Sequence, residues 1–302
     1  MNTMESLAQI GRSEVGLSLA GKLAAYVELT KPRITFLVSL TAAAGFCMGS
    51  ADGVDYLRLI NMSVGIALLS SGASALNQYY ERDLDRLMRR TQARPLPAGK
   101  LSPSEAAVFG ISLSIIATLY LAIFINGLSA LLGLATLASY LFVYTPLKTK
   151  TTLSTVFGAF PGAMPPFIGW VAARGQIGVE AWILFAILFL WQFPHFLAIA
   201  WMYRDDYARA GIKMLPVVEP EGRVTGQQII TYTVLLVPVS LLPAAVGIAG
   251  PVYLVGATVL GIGFLFFSVK AALVRTTWQA RKLLLASVLY LPALFALMVL
   301  NR

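Results

Sequence analysis

Asn77, Glu81 and Asp85 recur at every fourth residue where a long apolar run gives way to charge. On a helix this spacing stacks a carboxamide and two carboxylates along one face, a set of hard oxygen donors suited to a divalent cation. An ionisable group at mid-bilayer costs roughly 2.5–3.5 kcal/mol on insertion scales, so three polar groups starting inside an apolar segment point to function. Asp83 lies about 160° around the same helix and is either a network partner or surface. Arg82, Arg86, Arg89, Arg90 and Arg94 follow closely.

A second acidic cluster, Asp205-Asp206, sits between Tyr203 and Tyr207 and precedes Gly211-Ile212-Lys213-Met214-Leu215-Pro216. Two carboxylate groups facing one another, rimmed by Arg and Lys, suit a magnesium-bridged polyphosphate: magnesium takes one or two carboxylates plus phosphate oxygens, and guanidinium forks bind phosphate bidentately. No Gly-rich loop ends in Gly-Lys-Ser/Thr, so side chains and metal must hold the anion. The ligand implied is amphiphilic, with a diphosphate at the wet edge and a hydrocarbon tail among helices. The plain alternative is a solvated basic loop whose surface ion pairs contribute about 0–1 kcal/mol each.

The elements that position these groups are membrane helices. The chain of 302 residues is 58% hydrophobic and 12% charged, against about 25% charge in ordinary soluble domains. Runs long enough to span fall near 34–50, 59–80, 104–125, 128–145, 152–172, 179–202, 228–249, 251–269 and 283–300, about nine helices in one all-α membrane domain covering residues 1–302 and enclosing a central cavity. Breakers at Asn126-Gly127 and Gly250-Pro251 suit tight turns between antiparallel helices. With the N-terminus and the segment 1–30 on the cytoplasmic side, every Lys and Arg except Arg58, Arg174 and Arg302 falls on that side, as basic-loop topology requires. Parity then brings the two acidic clusters to one face, each in a loop of about 20 residues, a length associated with function. The net charge of +9 is accounted for by topology and an anionic substrate, and nucleic acid is not expected as a partner.

The first 30 residues carry Glu5, Glu14 and Glu28 and lack the acid-poor character of a transit peptide, so no cleaved leader is expected. Cys47 is the only cysteine, which excludes an intramolecular disulfide and a thiolate metal cluster; it is expected as a buried small residue. Pro161, Pro165 and Pro166, with Gly158, Gly162 and Gly169, predict a kinked, closely packed helix.

The spacing Asn77-x-x-x-Glu81-x-x-x-Asp85 resembles the first motif, Asn-x-x-x-Asp-x-x-x-Asp, of the intramembrane UbiA-type aromatic prenyltransferases typified by 4-hydroxybenzoate polyprenyltransferase. The longer stretch from Asn77 through Met88, Arg90, Thr91 and Arg94-Pro95-Leu96-Pro97 to Gly99 is similar to the haem-farnesylating branch, as are Trp191-Gln192-Phe193-Pro194-His195-Phe196 and Gly211 to Pro216. The likeness runs from Thr30-Lys31-Pro32-Arg33 to the last helix. The chain departs from the family's second motif, Asp-x-x-x-Asp, in having Tyr203 and Tyr207 at the flanks, which leaves the ligands of a second magnesium open and Asp205 and Asp206 undistinguished.

The resemblance implies farnesyl diphosphate and haem b as substrates, haem o and diphosphate as products, a bacterial inner membrane location, and haem a synthase or oxidase assembly as neighbours. It assigns Asn77, Glu81, Asp85 and Asp205 to magnesium and makes Lys31, Arg90, Arg94, Lys148 and Lys213 candidates for the diphosphate, with Asp206 beside them. Positive charge at a water-poor site stabilises a departing diphosphate while the allylic cation forms. His195, the only histidine, is either an axial iron ligand or a hydrogen-bonded packing residue. Tyr140, Tyr144, Trp191, Phe193, Phe196 and Trp201 are candidates for an aromatic wall shielding a carbocation. Benzoate, naphthoate or chlorophyll-type acceptors remain open, as does a secondary transporter using the acids as a cation site.

Overall fold

In the computed structural model, residues 18–50 and 53–302 are described; Glu5, Arg12 and Glu14 lie outside them. Among these residues every regular element is helical: α1 Leu19–Leu29, α2 Pro32–Gly49, α3 Tyr56–Arg86, α4 Pro103–Phe124, α5 Gly127–Leu147, α6 Ser154–Arg174, α7 Val179–Met202, α8 Arg204–Arg209, α9 Leu215–Val218, α10 Arg223–Ala245, α11 Pro251–Val274 and α12 Thr277–Leu300. Nine of them, α2 to α7 and α10 to α12, are long and apolar enough to cross a bilayer.

Local chemistry sets their ends. Ser102 and Glu105 form a reciprocal capping box ahead of Pro103 at the start of α4, and Asn126 caps α5 by accepting from the Ser129 amide at 2.8 Å, each satisfying a donor that helix geometry leaves free. Pro238 and Pro243 break α10 near Ser240, because proline removes a helical amide and crowds the preceding turn.

Consecutive spans pack as neighbours, α2 on α3, α3 on α4, and so on through α7, α10, α11 and α12, and α12 returns to α2, closing the bundle. Two contacts cross its middle, α2 with α6 and α7 with α12. At the first, a side-chain carbon on Gly45 would meet the Pro166 carbonyl and one on Gly169 the Ala42 carbonyl, so the two backbones approach as only glycine permits. Phe46, Met62, Leu121 and Ile168 fill the core on one side, and Phe167, Leu184, Tyr253, Leu283 and Tyr290 on the other. Val108, Ile111, Ile115 and Leu119 of α4, with Val252, Val255, Val259 and Ile262 of α11, face outward. So large an apolar exterior belongs against lipid.

One span is longer than expected. Hydropathy ends a segment near residue 80, but α3 is a single helix of 31 residues, about 46 Å long against a hydrocarbon core of about 30 Å. Glu81 and Asp85 therefore ride on the last turns of a membrane helix and not in a loop, because helix continuation depends on backbone bonding and not on where charge begins. Of the basic residues predicted outside, Arg302 donates to the Ser50 carbonyl at 3.1 Å beyond the end of α2. Cys47 is half-buried there, more open than its expected place in the core.

Candidate active site

The inner face of α3 carries the first cluster as its spacing requires. Asn77 is 2% exposed and Asp85 0%, while Asp83, across the helix, is exposed between Arg82 and Arg86. Each buried carboxylate meets a cation from another part of the chain. Lys148, just past the end of α5, binds Glu81. Arg94 donates both ways to Asp85, at 2.9 and 2.8 Å. Lys31 reaches Asn77 Oδ1 at 3.4 Å. Buried charges survive because they are paired.

Each cation is placed by a specific local structure. Lys31 has φ of +48°, left-handed for a residue with a side chain, and stands directly before Pro32; such strain persists only where surroundings hold it. Gln78, the residue after Asn77, donates to the Leu29 carbonyl at 3.0 Å and pins that junction to α3. Burial first, and then the neighbouring Arg94, pulls the Lys31 ammonium down to about 7; Glu81 opposes them, with smaller effects of Lys148 downward and Asp85 upward. Lys148 is held high instead: Tyr144, Glu81 and Tyr140 raise it against the opposing effect of burial.

Lys148 follows a widened π-helical turn, Ser139–Tyr144, in α5. Pro146 has no amide to offer the Phe142 carbonyl, so the helix shifts register here; the Thr145 hydroxyl takes up the Tyr140 carbonyl at 2.9 Å. This turn brings Tyr140 and Tyr144 side by side, ring centres 5.4 Å apart, and places the Lys148 ammonium 4.4 Å above the Tyr144 ring, within cation–π range. Tyr144 in turn sits on Gly158 of α6, where any side-chain carbon would collide with its ring.

The second cluster converges on the first, as parity predicts. The Arg90 amide donates to Asp206 Oδ2 at 3.2 Å across 116 residues of sequence, Arg209 binds the other oxygen of Asp206, and the Lys213 amide donates to the Lys148 carbonyl at 2.8 Å. Asp205 and Asp206 separate clearly. Successive residues of a helix point about 100° apart, so only one can turn inward: the Asp206 side chain is 12% exposed, whereas that of Asp205 is 88% exposed and pairs only with Arg204 at 3.8 Å. Among the described residues no three His, Cys, Asp or Glu side chains gather to hold a metal, so Asp205 does not join Glu81 and Asp85.

Two of the diphosphate candidates, Lys213 and Arg90, do not join the buried acids, whereas His195 takes the hydrogen-bonded packing place that was one of its two expected roles. The Lys213 side chain is exposed. Arg90 turns its guanidinium to the rings of Tyr203 and Tyr207, 5.2 and 5.8 Å from their centres. His195 bonds through Nδ1 to Ser287 Oγ at 2.8 Å and stacks on Trp191, whose indole donates to the Ser287 carbonyl at 2.9 Å; together they join α7 to α12. Phe193 stacks on Tyr232, and Trp201 packs over Gly222. Of the expected aromatic wall, Tyr140 and Tyr144 stand beside the site cations. Gln78 and Thr91, whose hydroxyl donates to the Asp85 carbonyl at 2.9 Å, were not among the site candidates, although Thr91 belongs to the haem-branch stretch. Their signal is polarity next to Asn77 and between Arg90 and Arg94.

The family model described as the UbiA prenyltransferase family matches residues 38–299. The chain belongs to that family. A member from Solibacter usitatus named protoheme IX farnesyltransferase is 52% identical over 286 residues, covering 92% of this chain and 98% of its own. The fold is that of a solved digeranylgeranylglyceryl phosphate synthase, with a TM-score of 0.78 at 19% identity, covering 93% of this chain and 98% of that one. It also matches an Archaeoglobus fulgidus family member solved with GPP and magnesium, with a TM-score of 0.66 at 18% identity over 91% and 99% of the two chains.

For a member of this prenyltransferase family, the donor set of Asn77, Glu81 and Asp85 fits a hard divalent ion. Asn77 Nδ2 is buried with no hydrogen-bond partner, so the pocket lacks an acceptor that an incoming oxyanion would bring.

Proposed function

We propose that the chain transfers the farnesyl group of farnesyl diphosphate to a vinyl group of haem b, with addition of water, giving haem o and diphosphate for haem-copper oxidase assembly. The observation that carries the donor half is the convergence of Lys31, Arg94 and Lys148 on the α3 face bearing Asn77, Glu81 and Asp85. The acceptor half rests on the haem-branch motifs and on the name borne by the 52% identical relative.

Asn77, Glu81 and Asp85 are the residues that would hold magnesium, which supplies charge neutralisation for the departing diphosphate. Lys31, Arg94 and Lys148 receive the negative charge that develops on the leaving oxygen; in a dry pocket such prepositioned cations act far more strongly than in water. Tyr140 and Tyr144 present aromatic faces beside them, suited to the allylic cation. As the carbon–oxygen bond to diphosphate breaks, the electron-rich vinyl group forms the new carbon–carbon bond, and water then captures the resulting cation and releases a proton to leave the hydroxyl. Orientation follows the basic loops, with this rim on the cytoplasmic side of a bacterial inner membrane.

Membranes containing the chain, incubated with haem b, farnesyl diphosphate and magnesium, are expected to yield haem o by mass, and Asp85→Ala membranes are not. No haem o from the intact chain, with prenylation of a benzoate or naphthoate instead, overturns the acceptor. Undiminished product from Asp85→Ala overturns the site.

A further inference from the structure

Outside the buried acid pocket lies a second, open cleft of about 450 Å³, lined by Arg89, Arg90, Tyr203, Asp205, Asp206 and Arg209 among others. Its charge is unevenly balanced. Asp206 is occupied by Arg209 and by the Arg90 amide, and Asp205 points to solvent toward Arg204. Neither the Arg89 nor the Arg90 side chain pairs with a carboxylate among the described residues. Arg90 is nevertheless held in place: its Nη2 donates to the Tyr207 hydroxyl at 3.3 Å, and the rings of Tyr203 and Tyr207 flank it. An immobilised guanidinium without a counter-ion, beside a second one, is a fork waiting for an oxyanion.

The diphosphate is not the ligand that fits here, because its cations are already gathered at Glu81 and Asp85. Tyr207 borders the cleft, its hydroxyl accepting from Arg90, and the segment after it reaches the acid cluster where the Lys213 amide donates to the Lys148 carbonyl at 2.8 Å.

Resting on the function proposed above, we infer that Arg89 and Arg90 bind the carboxylates of the prenyl acceptor, the propionates of haem, and so fix which edge of the macrocycle faces the farnesyl carbon. The macrocycle's two acidic side chains lie on one edge and its vinyl groups elsewhere. Anchoring the acids in the outer cleft past Tyr207 leaves an apolar edge to enter between the helices. Paired guanidinium recognition also explains selection: a site built for a charged partner rejects an analogue lacking that charge more strongly than an apolar pocket rejects a methylene. Tyr203 and Tyr207, the residues that flank Asp205-Asp206, are thus the ones that hold Arg90.

The test is a Soret titration of the purified full chain in detergent with haem b and with its dimethyl ester, alongside haem o formation. The intact chain is expected to bind haem b at least about tenfold more tightly than the diester, and Arg89→Gln/Arg90→Gln is expected to lose that preference while its KM for farnesyl diphosphate changes less than about twofold. Arg90→Lys, which keeps the charge, should recover part of it and guards against misfolding. Equal affinity for acid and ester, or preference retained in the double variant, overturns the inference while haem o formation still upholds the function. A raised KM for farnesyl diphosphate with haem preference intact reassigns the cleft to the donor. Absence of both haem binding and haem o removes the acceptor reading and this inference with it.

Discussion

Lys148 and Glu81 stand 67 residues apart in sequence and form a buried ion pair between the end of α5 and the inner face of α3. Each carboxylate of the α3 cluster is thus matched by a cation of the chain, and the same cations are the ones proposed to receive the diphosphate.

Breaking that pair from either side leaves a lone charge in a dry place. Lys148→Met and Glu81→Gln should each cost about 3–5 kcal/mol, seen as a lower midpoint of thermal inactivation in detergent. The double variant should regain most of that stability while remaining inactive. A double variant no more stable than the singles would show that the two residues act independently.

Metal and diphosphate should bind together. A divalent ion arriving alone must displace Lys148 from Glu81 and Arg94 from Asp85 with nowhere for those cations to turn; with diphosphate present they have new partners. Manganese, followed by its paramagnetic resonance, should bind at least about tenfold more tightly with inorganic diphosphate than without, and the enhancement must be reciprocal. Tight stoichiometric metal uptake by the chain alone would contradict this.

The two adjacent acids should behave unequally. Asp206→Asn loses charged bonds to Arg209 and the Arg90 amide, worth roughly 1.5–3 kcal/mol each. Asp205→Asn, at an exposed position, should shift stability by less than about 0.5 kcal/mol. Parallel thermal inactivation of the two variants checks the ordering, and an equal loss refutes it.

Gly158→Ala should reduce turnover while the bundle stays folded. Its methyl group enters the Tyr144 ring, and overpacking costs about 1–3 kcal/mol, or about a 5- to 150-fold loss if it falls on the site. Full activity in a folded Gly158→Ala protein would mean that Tyr144 does not need its seat.

His195 and Ser287 should be energetically coupled. His195→Ala and Ser287→Ala break the same joint between α7 and α12, so the double-variant loss should fall short of the sum by about 0.5–1.5 kcal/mol. Strict additivity would mean that the hydrogen bond contributes nothing.

Much of this was legible in the chain because membrane helices advertise themselves by length and apolarity, and all nine expected spans are present. The face shared by Asn77, Glu81 and Asp85 followed from helical geometry alone. Hydropathy missed the continuation of α3 past residue 80, since the apolar signal stops at the water boundary and the helix does not. Asp205 and Asp206 were indistinguishable because the start of α8, which decides the one that faces inward, is a single turn with no periodic pattern. The grouping of Lys31, Arg94 and Lys148 depends on a left-handed backbone, a loop and a register shift, and spacing encodes none of these directly; only Pro146 hinted at the last.

Because α3 runs unbroken from Tyr56 to Arg86, its carboxylates keep a fixed altitude above the far leaflet, as beads on a rigid rod do. A thicker or thinner bilayer cannot compress that rod; it can only lean it. Lipid composition thereby sets how deep below the headgroups Asp85 lies.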